Sequence, residues 1–117
     1  MAGENAGEVA GKHYSEYASE VKTLRSEGRE EEAEKLLWRL VEATESEARV
    51  QGCGVAPFYY EQLAISYAKR GECGAEIAVL ERFAGQPHAP GVKPPRLLAR
   101  LQKRRKQASQ EHARREA

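Results

Sequence analysis

Residues 58–83 read FYYEQLAISYAKRGECGAEIAVLERF, and this stretch decides the fold. The apolar residues of its first half recur at intervals of three and four, as on one face of an α-helix: Tyr60, Leu63, Ala64 and Tyr67. Gly71 follows, and a glycine there can adopt the left-handed conformation that ends a helix. The second half carries another apolar stripe: Ile77, Leu80 and Phe83. The stretch therefore predicts two antiparallel helices joined by a tight turn.

An upstream segment follows the same design, at an offset of 43 residues. Four of its residues match Tyr60, Ala64, Tyr67 and Gly71, namely Tyr17, Val21, Leu24 and Gly28. We expect one helix over about 13–27, ended by Gly28, and a second over about 29–50. On the second helix, Trp38 is interpreted as a structural aromatic residue, and the charged residues Glu42, Glu45, Glu47 and Arg49 as a solvated face.

The spacing of Tyr60, Leu63, Ala64, Tyr67 and Gly71 resembles the tetratricopeptide repeat family. The resemblance implies an all-α fold of two antiparallel helical hairpins in a right-handed stack, closed by a C-terminal capping helix. Glu76 departs from the pattern because the family has a small residue there, and Phe83 stands where the family prefers alanine. The 43-residue offset also exceeds the family's repeat of about 34 residues. An unrelated helical hairpin is the alternative.

The chain has 117 residues, which suits one domain, and its alanine, glutamate, leucine and arginine favour helices. Residues 1–12 lack periodicity, so we expect a flexible tail before a helical domain at 13–101. A proline-rich segment, AGQPHAPGVKPP, then precedes a fifth helix with a short stripe of Leu97, Leu98 and Leu101. Residues 102–117 form a basic extension that either continues this helix or frays.

No motif points to catalysis. The three histidines have no paired spacing, the two cysteines form no CxxC motif, and the chain contains no aspartate. We therefore predict no catalytic residues, no metal and no cofactor. No apolar run approaches the roughly 20 residues of a membrane span, and the N-terminus lacks a signal-like region. The sequence predicts a soluble, cytoplasmic protein that does not contact a membrane.

The family resemblance implies that the first helix of each pair lines a groove for a peptide. The matching positions here are Lys22, Arg25, Phe58, Glu61, Gln62, Ile65 and Lys69. Three cations among them suit an acidic or C-terminal carboxylate segment. A protein or peptide partner is therefore the preferred hypothesis, and self-association would supply further neighbours to so short a stack. Ordinary exposed residues are the alternative reading of these positions.

The charge is unevenly distributed along the chain. Residues 93–117 carry nine basic and two acidic side chains, whereas residues 1–50 carry seven basic and twelve acidic ones. A nucleic-acid-associated role is the alternative function, through the basic residues Arg96, Arg100, Lys103, Arg104, Arg105 and Lys106. No aromatic residue lies among them, which disfavours stacking on single strands. A solubilising tail, or one that pairs with the acidic half of another copy, would explain the same residues.

Overall fold

The computed structural model describes residues 6–116, and the fold is all-α. Within those residues five α-helices follow one another: α1 (Ala18–Ser26), α2 (Glu30–Gln51), α3 (Pro57–Lys69), α4 (Cys73–Ala84) and α5 (Lys93–Glu116). Each helix packs against the next along the chain, and α3 also contacts α5. None of these helices combines the length and the apolar character needed to cross a lipid bilayer. The predicted helical class is confirmed, while the arrangement as two stacked hairpins and the handedness of the stack stay predictions.

Glycines end α1 and α3 in the same way. Gly28 and Gly71 have φ values of 75° and 73°, in the left-handed region where a side chain would be strained. Each glycine donates its backbone N–H to the carbonyl three residues before it. The residue after each glycine donates back five residues, from Arg29 to Leu24 and from Glu72 to Tyr67, both at 2.9 Å. These bonds satisfy carbonyls at the helix ends and confirm the two predicted stops.

The predicted apolar stripes meet in one core. Its completely buried members come from four helices: Val21, Leu37, Leu40, Val41, Tyr60, Leu63, Ala64 and Phe83. Tyr17 and Tyr60, which occupy matching positions in the two repeated segments, are 7% and 0% exposed. Trp38 covers the edge of this core, where its Nε1 donates to the Tyr67 hydroxyl at 3.1 Å. Trp38 and Tyr67 thus pack their rings in or against the core and pair their polar atoms with each other.

The N-terminal segment differs from the flexible tail expected for residues 1–12. Its described part forms a hairpin of two antiparallel strands, β1 (Glu8–Val9) and β2 (Lys12–His13), followed by a 3-10 helix over 14–17. Val9 is only 5% exposed, and its carbonyl accepts a hydrogen bond from the buried Tyr17 hydroxyl. A single apolar residue between glycines gives no periodic signal, so its anchoring role was not predictable from spacing. Residues 1–5 of the expected tail lie outside the described residues.

The expected solvated face of α2 is wrong at two positions. Glu45 is 6% exposed, and its carboxylate accepts two hydrogen bonds from Arg82 at 2.8 Å and one from Tyr60 at 2.6 Å. Glu47 lies 2.6 Å from His13 Nε2 and accepts from the Tyr14 hydroxyl. These partners are distant in sequence, and a buried carboxylate is stable only when it is paired in this way.

The proline-rich segment before α5 lies against the loop between α2 and α3. The Val55 N–H donates to the Pro87 carbonyl at 2.9 Å. Gly54 is required at this crossing, since a Cβ atom there would come within 2.3 Å of the Ala89 nitrogen. From Lys93 the chain is helical through Glu116, so the basic extension continues α5 across the expected boundary at residue 101. Residues 109–116 are all exposed, so within the described part of the chain the last turns of α5 do not pack against the domain.

Three paired carboxylates should make the fold sensitive to acid. Burial raises the pKa of Glu34, Glu45 and Glu47, but their hydrogen bonds outweigh it and hold each pKa below its ordinary value of 4.5. A lowered folded-state pKa contributes stability that is present above the unfolded value and lost as the pH falls through the folded one. We therefore expect the melting temperature, followed by circular dichroism, to decrease progressively below pH 4.5.

The matched control for this titration is a variant with Glu45→Gln and Glu47→Gln, which cannot lose charge at those two sites. Its melting temperature should be lower at neutral pH and should fall less on acidification. An identical acid profile for the variant and the wild-type protein would contradict the assignment.

Candidate interaction surface

The seven residues predicted to bind a partner lie on α1 and α3. We call them the α1–α3 face. On α3, Phe58, Gln62, Ile65 and Lys69 recur at intervals of four, three and four, which places them in one line along the helix. Glu61 lies to the side of this line, toward α5, where it meets Lys93. Lys22 and Arg25 occupy one side of α1, and both contact residues of α3.

Phe58 is the aromatic centre of the α1–α3 face. Its ring is half-buried, with the Lys22 ammonium 5.8 Å from the ring centroid and the Lys93 ammonium at 5.9 Å. An ammonium at this distance is attracted to the electron-rich face of an aromatic ring. The two lysines belong to α1 and α5, so side chains from three helices meet at the Phe58 ring of α3. The arrangement presents an apolar contact flanked by positive charge.

Arg25 and Glu61 are less accessible to a binding partner than the sequence suggested. The Arg25 side chain is 12% exposed, and its guanidinium donates to the Gln62 carbonyl oxygen at 3.2 Å. Glu61 is 14% exposed and accepts from Lys93 at 2.6 Å, with Arg96 at 3.8 Å. Arg25 thus links α1 to α3, and Glu61 links α3 to α5. Of the charged residues on the α1–α3 face, Lys22 and Lys69 are the exposed ones.

Three basic residues of α5 are engaged with carboxylates of α4. Arg100 and Arg104 both donate to Glu76, at 2.8 and 3.0 Å, and Arg105 donates to Glu81 at 2.8 Å. Glu76 is 1% exposed, whereas Glu81 and Arg105 are each about half exposed. Leu97 and Leu101 of α5 are buried as well. Three of the six residues predicted to contact nucleic acid therefore form ion pairs that hold α5 against α4.

Sequence reasoning missed Glu76 as an anchoring residue. In the sequence, Glu76 stands out only because the repeat pattern has a small residue at this position. One signal was available, because a carboxylate on an apolar helix face needs a cation, and Arg100 and Arg104 are four residues apart on the next helix. That spacing puts both guanidiniums on one side of α5, where they reach the same carboxylate.

Residues 6–116 contain no group of three or more histidine, cysteine or glutamate side chains placed to hold a metal ion. Cys53 and Cys73 are free thiols, each partly exposed. The chain matches no protein-family model, and no curated protein or solved structure is significantly similar to it. Interpretation of the α1–α3 face therefore depends on its own chemistry.

Proposed function

We propose that the protein is a small helical interaction module that binds an acidic polypeptide segment on the α1–α3 face. The strongest support comes from Phe58, whose half-buried ring has the ammonium groups of Lys22 and Lys93 at 5.8 and 5.9 Å from its centroid. An apolar side chain of a partner can pack on the ring while its carboxylates meet Lys22, since Lys93 is already paired with Glu61. Aromatic residues are enriched at the centres of protein interfaces, and a polar rim surrounds them.

The charge of the α1–α3 face favours an acidic partner. Its one carboxylate, Glu61, is paired with Lys93 of α5, whereas Lys22 and Lys69 are exposed. Ile65 is half-buried between Gln62 and Lys69 and adds a second apolar contact about two turns from Phe58. Complementary charge speeds association and rejects basic partners, while the apolar residues hold the complex. The resemblance to tetratricopeptide repeats is consistent with this use of α1 and α3 and belongs to the same proposal.

A peptide-display selection tests this function. We expect selected peptides to combine glutamate or aspartate with a large apolar residue. Their affinity should fall about tenfold or more when Lys22→Glu and Lys69→Glu are introduced together, because two attractive contacts become repulsive. Fluorescence anisotropy with a labelled peptide gives the dissociation constants, and circular dichroism checks that the helices are retained.

The matched control reverses two exposed cations of α2, with Lys35→Glu and Arg39→Glu. Its charge change is identical, so a general loss of attraction would weaken binding equally in both variants. Retained affinity in the α2 variant together with loss in the Lys22 and Lys69 variant supports the α1–α3 face. Equal affinities for all three proteins, or selected peptides without acidic residues, would refute the proposal.

A further inference from the structure

One face of α5 carries hydrogen-bond donors at every turn. Six long side chains recur at intervals of four, three, four, three and four: Arg96, Arg100, Lys103, Gln107, Gln110 and Arg114. This spacing aligns them along one side of the helix. Leu97 and Leu101, which are buried against the domain, lie on a different side. We call the six residues the α5 donor row. It extends over about 27 Å, since 18 residues of helix rise about 1.5 Å each.

The α5 donor row keeps several cations available to a ligand. Arg100 is bonded to Glu76, but the Arg96 side chain is 63% exposed and its nearest carboxylate, Glu61, is 3.8 Å away. Lys103 and Arg114 are exposed, and among residues 6–116 no carboxylate lies within ion-pair distance of either. Glu116 bonds to His112 at 3.0 Å. Glu111, four residues after Gln107 and three before Arg114, is the one carboxylate beside the row among the described residues of α5.

We propose that the α5 donor row binds the phosphate backbone of double-stranded nucleic acid without reading its sequence. A duplex presents closely and regularly spaced phosphate charges, and long basic side chains neutralise them by displacing counterions. Glutamine side chains, as at Gln107 and Gln110, also donate hydrogen bonds to phosphate oxygens. Within the described residues the row contains no aromatic side chain, so stacking on the bases of a single strand is not available to it.

An acidic polypeptide fits the α5 donor row less well than a duplex does. Polypeptide docking generally needs an apolar anchor, and the α1–α3 face offers one in Phe58 whereas the six residues of the row are all polar. The row also continues onto the last turns of α5, which stand clear of the domain, so a long rigid polyanion can approach without collision. This inference concerns α5 and does not depend on the function proposed for α1 and α3.

Anisotropy titrations of the full chain against two labelled duplexes of unrelated sequence test this inference. We expect equal affinities for the two duplexes and a binding constant that falls steeply with salt. With three to four phosphate contacts, the decrease should be roughly 50-fold or more between about 50 and 200 mM salt. Absence of binding at the lowest salt, or a strong preference for one duplex, overturns the proposal.

Two variants locate the contact. Lys103→Gln with Arg114→Gln should weaken binding and reduce the salt slope by about 2, since each lost phosphate contact lowers it by about 1. Both side chains are exposed, so the helices should be retained. Lys35→Gln with Arg39→Gln, the matched control on α2, should bind as the wild-type protein does. Identical slopes for the two variants, or displacement of the duplex by polyglutamate of equal charge concentration, would overturn the assignment to nucleic acid.

Discussion

Replacing Glu76 with alanine should lower the free energy of unfolding by about 3 kcal/mol and release α5 from α4. The Glu76 carboxylate is 1% exposed and accepts hydrogen bonds from Arg100 and Arg104. Its removal leaves the Arg100 guanidinium without its acceptor and leaves Arg104 bonded only to Gln107. The side chains of the two arginines stay 29% and 34% exposed, so water offsets part of the loss. We therefore expect the low end of the range known for breaking a buried ion pair.

Denaturant unfolding followed by circular dichroism measures the loss in Glu76→Ala, and amide hydrogen exchange locates it. Protection should fall first at Leu97 and Leu101 of α5, and less at Tyr60 of α3. Glu81→Ala is the matched control on α4, because Glu81 pairs with Arg105 at 2.8 Å but both side chains are about half exposed. An exposed pair of this kind contributes about 0.5 kcal/mol. Equal losses in the two variants would show that burial of Glu76 does not determine the strength of α5 docking.

The helices and their ends were predictable because their causes are local. The apolar spacing of α2 and α3 lies within each helix, and Gly28 and Gly71 need no distant partner to take a left-handed conformation. The predicted start of α1 was less accurate. Residues Tyr14–Tyr17 form a 3-10 helix, and the α-helix begins only at Ala18. Boundaries of this kind shift by a turn when neighbouring contacts decide them.

The buried carboxylates were not predictable, because their causes are not local. Glu45 meets Arg82 and Tyr60, which are 37 and 15 residues away. Its place four residues after Val41 puts it on the apolar side of α2, but the partners that enclose it lie outside the helix. For Glu76, the four-residue spacing of two arginines on α5 was a signal, but only the packing of α4 against α5 shows that they reach this carboxylate. A glutamate is placed on a solvated face by default, and only packing between helices shows which one is enclosed.

The alignment of the predicted site residues on α3 follows from sequence, but their contacts do not. Helical period alone aligned Phe58, Gln62, Ile65 and Lys69 along α3. Period could not show that Arg25 of α1 would bond to the Gln62 carbonyl, since that contact depends on how α1 and α3 approach each other. The structure consequently leaves Lys22 and Lys69, rather than three cations, as the exposed positive charges of the α1–α3 face.

Glu45→Ala should also cost about 3 kcal/mol of unfolding free energy, for a different physical reason. The Tyr60 hydroxyl lies in the core on a residue that is 0% exposed, and it donates to Glu45 at 2.6 Å. Without the carboxylate this hydroxyl has lost its acceptor, and a buried polar group without a partner costs about 1–3 kcal/mol. Arg82 also loses two charge-assisted hydrogen bonds, although its side chain is 40% exposed and can turn to water.

Two controls separate these contributions in denaturant unfolding measurements on Glu45→Ala. Tyr60→Phe removes the hydroxyl but leaves Glu45 bonded to Arg82, so we expect a loss of only about 1 kcal/mol. Glu42→Ala, on the exposed side of the same helix, should change stability by less than about 0.5 kcal/mol. If Glu42→Ala and Glu45→Ala lost the same amount, α2 would carry the uniform solvated face that the sequence suggested. A large difference between them instead measures how strongly α2 is held to α3 and α4 through one enclosed carboxylate.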